Sequence, residues 1–268
     1  MLNENQPGID NVLLDIRDGV ATITLNRPDV HNAFDEHVIA ALHGKLDALA
    51  LERDLRVIVL RGAGKNFSAG ADLVWMMKAA NYTQEQNKSD ALALAGMLNK
   101  LYSMPQTTIA CVHGAAMGGG FGLVACCDIV LATERASFAL SEVKIGLIPA
   151  TIGPYVMKAI GERHMRRFAQ TGERFGAGVA HQIGLVHEVL HDDAALADRL
   201  NEILDGLATN GPDAVREAKA LCNELSGRPI DFALQDHTAT RIAEIRAGGE
   251  AKEGLSAFLE KRKPGWVK

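Results

Sequence analysis

Val57-Ile-Val-Leu-Arg-Gly-Ala-Gly-Lys-Asn-Phe-Ser-Ala-Gly-Ala-Asp-Leu73 is the stretch from which the fold class is read. Val57 to Leu60 is a continuous apolar run suited to a buried strand, and a helical pattern opens at Asp72 and runs to Ala80. The glycines between them suit a strand-to-helix connection that needs positive φ. The loop is not a nucleotide-binding Walker loop, because Gly64-Lys65 is followed by Asn66 and the required earlier glycine is missing.

Upstream, Val12 to Ile16 and Val20 to Leu25 are two β-rich runs around Asp18-Gly19, a pair that tolerates a tight hairpin turn. Asp35 then precedes Val38, Leu42, Leu46 and Leu49, whose spacing is helical, so the first sixty residues read β-β-α-β. Downstream, a polar patch from Asn81 to Asp90 leads to a helix from about Ala91 to Tyr102, a strand from Thr108 to Val112, a glycine-rich turn, a short helix from Phe121 to Cys127 and a strand from Ile129 to Ala132. Strand, glycine turn and helix thus recur. The pattern predicts an α/β core of stacked β-β-α units over residues 1–190, followed by a helical C-terminal region over 191–268. Its helices are expected at Ala194 to Leu207, Pro212 to Leu225, Ile230 to Ala247 and Gly249 to Arg262.

Composition narrows the function. The chain of 268 residues is 47% hydrophobic with a net charge of −5, an ordinary globular balance without the basic surface that nucleic-acid binding requires. Met1 to Asp10 lacks the pattern of a secretory signal, and Thr108 to Ala132 contains His113, Asp128 and clustered glycines, so neither export nor a membrane span is expected. Four cysteines (Cys111, Cys126, Cys127, Cys222) without metal or redox spacing fit small buried hydrophobes in a reduced, cytoplasmic setting. The nine histidines show no pairing at metal spacing, so no metal site is expected.

Two further stretches carry chemistry. In His113-Gly-Ala-Ala-Met-Gly-Gly-Gly-Phe-Gly-Leu123, the glycines at 118, 119, 120 and 122 strip side chains from the start of a helix. Bare N–H groups there can approach a ligand atom, and the helix dipole favours developing negative charge. Leu123 sits where a dinucleotide fingerprint needs glycine. In Ser137-Phe-Ala-Leu-Ser-Glu-Val-Lys-Ile-Gly-Leu-Ile-Pro149, Glu142 is the one acidic residue. A carboxylate in such company is salt-bridged, with Lys144 the nearest candidate, or exposed by a turn, or poised as a general base.

Taken together with Leu25-Asn-Arg-Pro28, Asn32-Ala33, Cys127-Asp-Ile129 and Phe258-Leu-Glu-Lys-Arg-Lys-Pro264, these stretches resemble the crotonase family, the enoyl-CoA hydratases and isomerases, in order and spacing over nearly the whole chain. The resemblance implies a spiral of β-β-α units, a helical C-terminal region that builds trimers or dimers of trimers, and an acyl thioester of coenzyme A as substrate. It implies that the backbone N–H groups of Ala71 and Gly119 hold the thioester oxygen, where removing one donor costs about 3–4 kcal/mol. Glu142 is implied as the catalytic carboxylate. Ala33, Ala69, Gly70, Asp72, Leu73, Gly118 and Gly122 are implied around the substrate, with Arg27 and a neighbouring subunit's Lys261 as candidates for the coenzyme phosphates. No cofactor beyond the coenzyme A of the substrate is expected.

Two-base hydratases of this family carry a first glutamate two places after the glycine triplet, and here that place is Gly122. The remaining glutamate suits hydration or single-base double-bond isomerisation. The segments around Trp75, Gly122 and Glu142 most resemble branched glutaconyl-CoA hydratases such as those acting on 3-methylglutaconyl-CoA in leucine and isoprenoid breakdown. A glycine at 122 would relieve crowding and like-charge repulsion for such a branched dicarboxylic chain. A non-catalytic acyl-CoA-binding subunit is the alternative from another class.

Overall fold

A computed structural model describes residues 10–267. The hairpin forms as expected: β1 (Val12–Arg17) and β2 (Val20–Leu25) pair antiparallel, with Asp18 and Gly19 both at positive φ in the turn. Asp35 caps α1 (Glu36–Ala50) by accepting from the N–H groups of His37 and Val38. The chain continues through β3 (Val57–Gly62), α2 (Leu73–Ala79), α3 (Gln84–Tyr102), β4 (Thr107–Val112), β5 (Ala115–Met117), α4 (Gly119–Ala125), β6 (Ile129–Thr133) and β7 (Ser137–Ala139). Then come α5 (Gly153–Thr171), β8 (Phe175–Gly176), α6 (Ala177–Gln182), β9 (Glu188–Leu190) and the C-terminal helices α7 (Asp193–Thr209), α8 (Pro212–Leu225), α9 (Phe232–Ala247) and α10 (Gly249–Leu259).

Two sheets organise these elements. The larger has the order β1-β2-β3-β4-β6-β9 and is parallel from β2 onward; the smaller has the order β5-β7-β8. β4 and β6 each lie in the larger sheet, while β5 and β7, which follow them, lie in the smaller one, and a helix comes next. This is the β-β-α spiral. Phe121 of α4, Phe138 of β7, Phe168 of α5 and Phe175 of β8 pack ring against ring behind the smaller sheet, with neighbouring centroids 4.1–6.0 Å apart.

Each face of β3 has its own core. Ile58 and Leu60 join the main core with α1 and α3, while Val57 and Val59 face Leu196, Leu200 and Leu204 of α7. The first helix of the expected C-terminal region therefore covers the second face of the sheet, whose last strand ends at Leu190.

Several local expectations are corrected. α3 starts at Gln84 instead of near Ala91, because Thr83 and Gln86 form a capping box and the polar patch is largely the solvent face of that helix. Asp231 caps α9, moving its start from Ile230 to Phe232, and α10 ends at Leu259 rather than Arg262. The pattern reading left residues 150–190 largely unassigned, yet α5, β8, α6 and β9 fall there; Gly161, at φ 75°, breaks α5 and blurs its periodicity. Cys222 is exposed, unlike Cys111 and Cys126.

Thr108 to Ala132 is divided among β4, β5, α4 and β6, and no described helix is long and apolar enough to cross a membrane. Among the described residues no cluster of three metal-ligating side chains occurs. The expectation about an N-terminal signal falls, except for Asp10, outside the described residues.

Candidate active site

The loop from Ala63 to Asp72 is fastened at both of its ends and through buried side chains in between. Asn32, almost fully buried, accepts from the Arg27 N–H at 2.9 Å and donates Nδ2 to the carbonyls of Ala63 and Asn66 at 2.8 Å each. Ser68 Oγ donates to the Asn32 carbonyl at 2.8 Å and accepts from the Gly70 N–H at 3.1 Å. Phe34 N–H donates to the Gly70 carbonyl and Asp72 N–H donates to the Phe34 carbonyl. Ala71 sits between these two bonds with its own N–H unused among the described residues.

The second free donor belongs to Gly119, the first residue of α4, where a helix leaves its N–H groups unpaired. Gly70, at φ 84°, brings the two together: a Cβ there would lie 3.1 Å from Gly119 N and 2.5 Å from the Met117 carbonyl oxygen. No residue with a side chain fits. Gly119 is equally constrained, since a Cβ would stand 2.3 Å from Phe34 Cζ. Ala71 and Gly119 are half-buried while Gly70, Gly118 and Gly120 are buried, so the free N–H groups are borne by the two accessible residues of this contact. One expectation shifts slightly: α2 begins at Leu73 behind the Asp72 cap, so Ala71 lies before the helix.

Glu142 opens a 3₁₀ turn, Glu142–Ile145, directly after β7. Its Oε1 would be 3.0 Å from a Cβ on Gly118, the residue before the Gly119 donor, and Gly118 is held by its N–H bond to Ala139 at 2.9 Å. The other oxygen, Oε2, is buried without a hydrogen-bond partner. Glu142 makes no ion pair among the described residues, and the Lys144 stem packs beside Gly172 instead, 3.2 Å from a Cβ placed there. The salt-bridged reading of Glu142 is thereby removed. Burial raises its carboxyl above the ordinary glutamate value, and a hydrogen bond from its own backbone N–H offsets this in part.

Gly122 does not border a vacancy. A Cβ at 122 would lie 2.2 Å from Cγ2 and 2.8 Å from Cβ of Ile152, a buried residue at the head of α5. The crowding relief expected of glycine at 122 is therefore corrected: Ile152, thirty positions away in sequence and not visible from any local pattern, fills the space a side chain would take.

Arg27 is engaged inside the chain. Its guanidinium donates to the Ala33 carbonyl at 2.7 Å and contacts Asp35 at 3.3 Å and Asp72 at 3.1 Å, with the side chain 18% exposed. It clasps the α1 entrance to the donor loop, which leaves its charge matched rather than free for a phosphate. Ala33 is buried beneath this clasp, Ala69 and Leu73 are exposed along the loop, and Lys261 lies in the exposed turn after α10. Asp72 both pairs with Arg27 and caps α2 through the N–H of Val74 at 2.8 Å. Asp72→Ala should therefore cost about 1–2 kcal/mol in urea unfolding; a loss below about 0.5 kcal/mol would show that neither contact matters to stability.

The arrangement brings two backbone N–H groups without partners among the described residues, those of Ala71 and Gly119, into the neighbourhood of a carboxylate that makes no ion pair. The sequence family described as enoyl-CoA hydratase/isomerase matches residues 15–268. A crystal structure of an enoyl-CoA hydratase from Shewanella pealeana shares 44% identity with this chain, covers 96% of both chains and superposes with a TM-score of 0.92. The mevalonyl-coenzyme A hydratase sidH of Aspergillus fumigatus is 34% identical over 92% of this chain and 91% of its own, and the crotonyl-CoA hydratase of Syntrophomonas wolfei is 29% identical over 96% and 98%. With the spiral in place, these matches show that the chain belongs to the crotonase superfamily, the enoyl-CoA hydratase/isomerase family.

Proposed function

We propose that this enzyme adds water across the 2,3 double bond of an enoyl-CoA, with Glu142 as its carboxylate. The observation that carries the reading is the half-buried Glu142 carboxylate, unpaired and seated against Gly118 next to the Gly119 donor. Glu142 accepts a proton from water while the hydroxyl oxygen bonds to C3 and the π electrons move toward the thioester oxygen. The N–H groups of Ala71 and Gly119 stabilise the resulting enolate. Return of a proton to C2 completes the addition, so one water enters the product and no electron acceptor is used.

For the acyl group we propose a C3-branched glutaconyl-type chain. The resemblance around Trp75, Gly122 and Glu142 supports it, since a glycine at 122 brings no second carboxylate that would repel a diacid. The related hydratases include one named for a mevalonyl and one for a crotonyl group. Assembly is proposed as a trimer or a dimer of trimers through the C-terminal helices, where Phe232, Leu255, Phe258 and Leu259 are exposed.

The test is a paired assay with crotonyl-CoA and 3-methylglutaconyl-CoA, following loss of the conjugated thioester absorbance and weighing the product. Gain of one water with faster turnover of the branched diacid is the expected result. Proton movement on a 3-enoyl-CoA without water gain would instead make the enzyme an isomerase, and thioester binding without turnover would make it a binding subunit.

Burial also sets a pH dependence. Because Glu142 must be ionised to accept a proton, kcat/KM should fall as pH drops through its raised pKa, with a midpoint above the ordinary glutamate value of 4.5. Stability runs the opposite way: the folded state holds this proton more tightly than the unfolded chain, so Glu142 lowers stability as pH rises from the unfolded to the folded pKa. A pH–rate profile whose acidic limb lies at or below 4.5 would remove the role of burial.

A further inference from the structure

A cavity of about 340 Å³ lies on the opposite face of β3 from the main core, between the carboxyl ends of β3 and β4 and the first turns of α7. Register builds its floor: Val59 and Arg61 point to the α7 side, Arg61 pairs with Cys111 across the sheet, and His113 follows two residues later on the same face. Leu196 and Leu200 of α7 supply an apolar wall.

Its polar groups are unevenly matched. Asp193 is held by both of its oxygens to Arg135, at 2.8 and 2.7 Å, and does not compete for another cation. His113 Nε2 lies 2.9 Å from the Gly64 carbonyl oxygen, which fixes that ring and joins the loops after β3 and β4. Arg61 makes no ion pair or side-chain hydrogen bond among the described residues, so the cavity carries one unmatched positive charge beside an apolar wall. None of the residues assigned above to the oxyanion donors, to Glu142 or to the coenzyme path lines it.

We propose that this cavity binds a small organic anion, a carboxylate with a short alkyl body, through Arg61 with His113 beside it and with the alkyl part against Val59, Leu196 and Leu200. A volume near the lower end of ligand pockets suits a body of that size. Carboxyl ends of strands in open α/β sheets are a recurrent place for ligands. The loops that lead to Ala71 and Gly119 both begin at this floor, so the ligand would rest on the roots of the donor loops.

Isothermal titration of the full chain with hexanoate tests it, with hexanol and inorganic phosphate as probes of each half of the ligand and coenzyme A present in excess. Saturable hexanoate binding that survives coenzyme A, exceeds that of hexanol and phosphate, and weakens about tenfold or more in Arg61→Met is the expected result. Ala197→Phe, which fills the cavity from the exposed side of α7, should weaken it as well and covers the case in which Arg61→Met does not fold. Absence of saturable binding, displacement by coenzyme A, phosphate binding as tight as hexanoate, or unchanged binding in a folded variant would each overturn the proposal.

Discussion

Glu142→Gln should lower the hydration rate by about 10²–10⁴-fold, the range associated with a positioned general acid–base group, while thioester binding stays nearly unchanged. The substitution keeps size and shape but removes the charge that accepts a proton. It leaves the Gly118 bond to Ala139 and the free N–H groups of Ala71 and Gly119 in place, so in the proposed mechanism both donors stay available to the thioester oxygen. Steady-state rates together with equilibrium binding of crotonyl-CoA separate the two effects. Unfolding provides a control, because an amide at this half-buried position avoids the cost of ionisation and the variant should be at least as stable as the parent at neutral pH. A variant that retains a tenth or more of the parental rate would exclude Glu142 as the base.

The second large effect is expected at Gly122, and it is one of stability. Gly122→Glu introduces a Cβ 2.2 Å from Ile152 Cγ2, in the core where both residues are buried. Overpacking of this kind costs about 1–3 kcal/mol, and burying a carboxylate without a partner adds to it. The variant should therefore unfold at lower urea and gain no second base. Ile152→Ala alone should cost about 2–5 kcal/mol through the cavity it leaves. Combined, the two changes should be less damaging than their sum by about 1–3 kcal/mol, because each relieves the other. Strict additivity in the double-mutant cycle would show that the contact does not govern the site. An active and stable single Gly122→Glu variant would show that the position tolerates a side chain.

The functional consequence separates two ideas that look alike from sequence. A missing glutamate can be an empty place that waits for substrate or water, or a place given to another side chain. The contact with Ile152 is of the second kind: the space beside Gly122 is given to a buried apolar side chain.

Much of the architecture was legible because local rules agreed with the fold. Asp18-Gly19 tolerates the positive φ of the hairpin, Asp35 supplies the α1 cap, and Val57 to Leu60 is apolar without alternation because β3 is covered on both faces. The reading went wrong where a cap or a break lay inside a weak pattern, at Thr83 and at Gly161. Glycine content marked the donor loops, and the isolation of Glu142 among apolar neighbours marked the carboxylate. Arg27 shows the opposite case: a cation beside the expected coenzyme path is a natural phosphate partner until Asp35 and Asp72, eight and forty-five positions away, are seen to face it.

Sequence by itself determined the opening β-β-α-β order and the helical C-terminal region, the turns that glycine serves, and the residue types able to hold an oxyanion and move a proton. Those follow from φ preferences, periodicity and side-chain chemistry, which act within a few residues. The tertiary structure alone decided that Glu142 is half-buried and makes no ion pair among the described residues, which charges are already matched, and what fills the space beside Gly122. Burial, ion pairing and steric exclusion depend on distances between segments far apart in the chain, here β5, the turn after β7 and the head of α5, and those distances exist only once the spiral has closed.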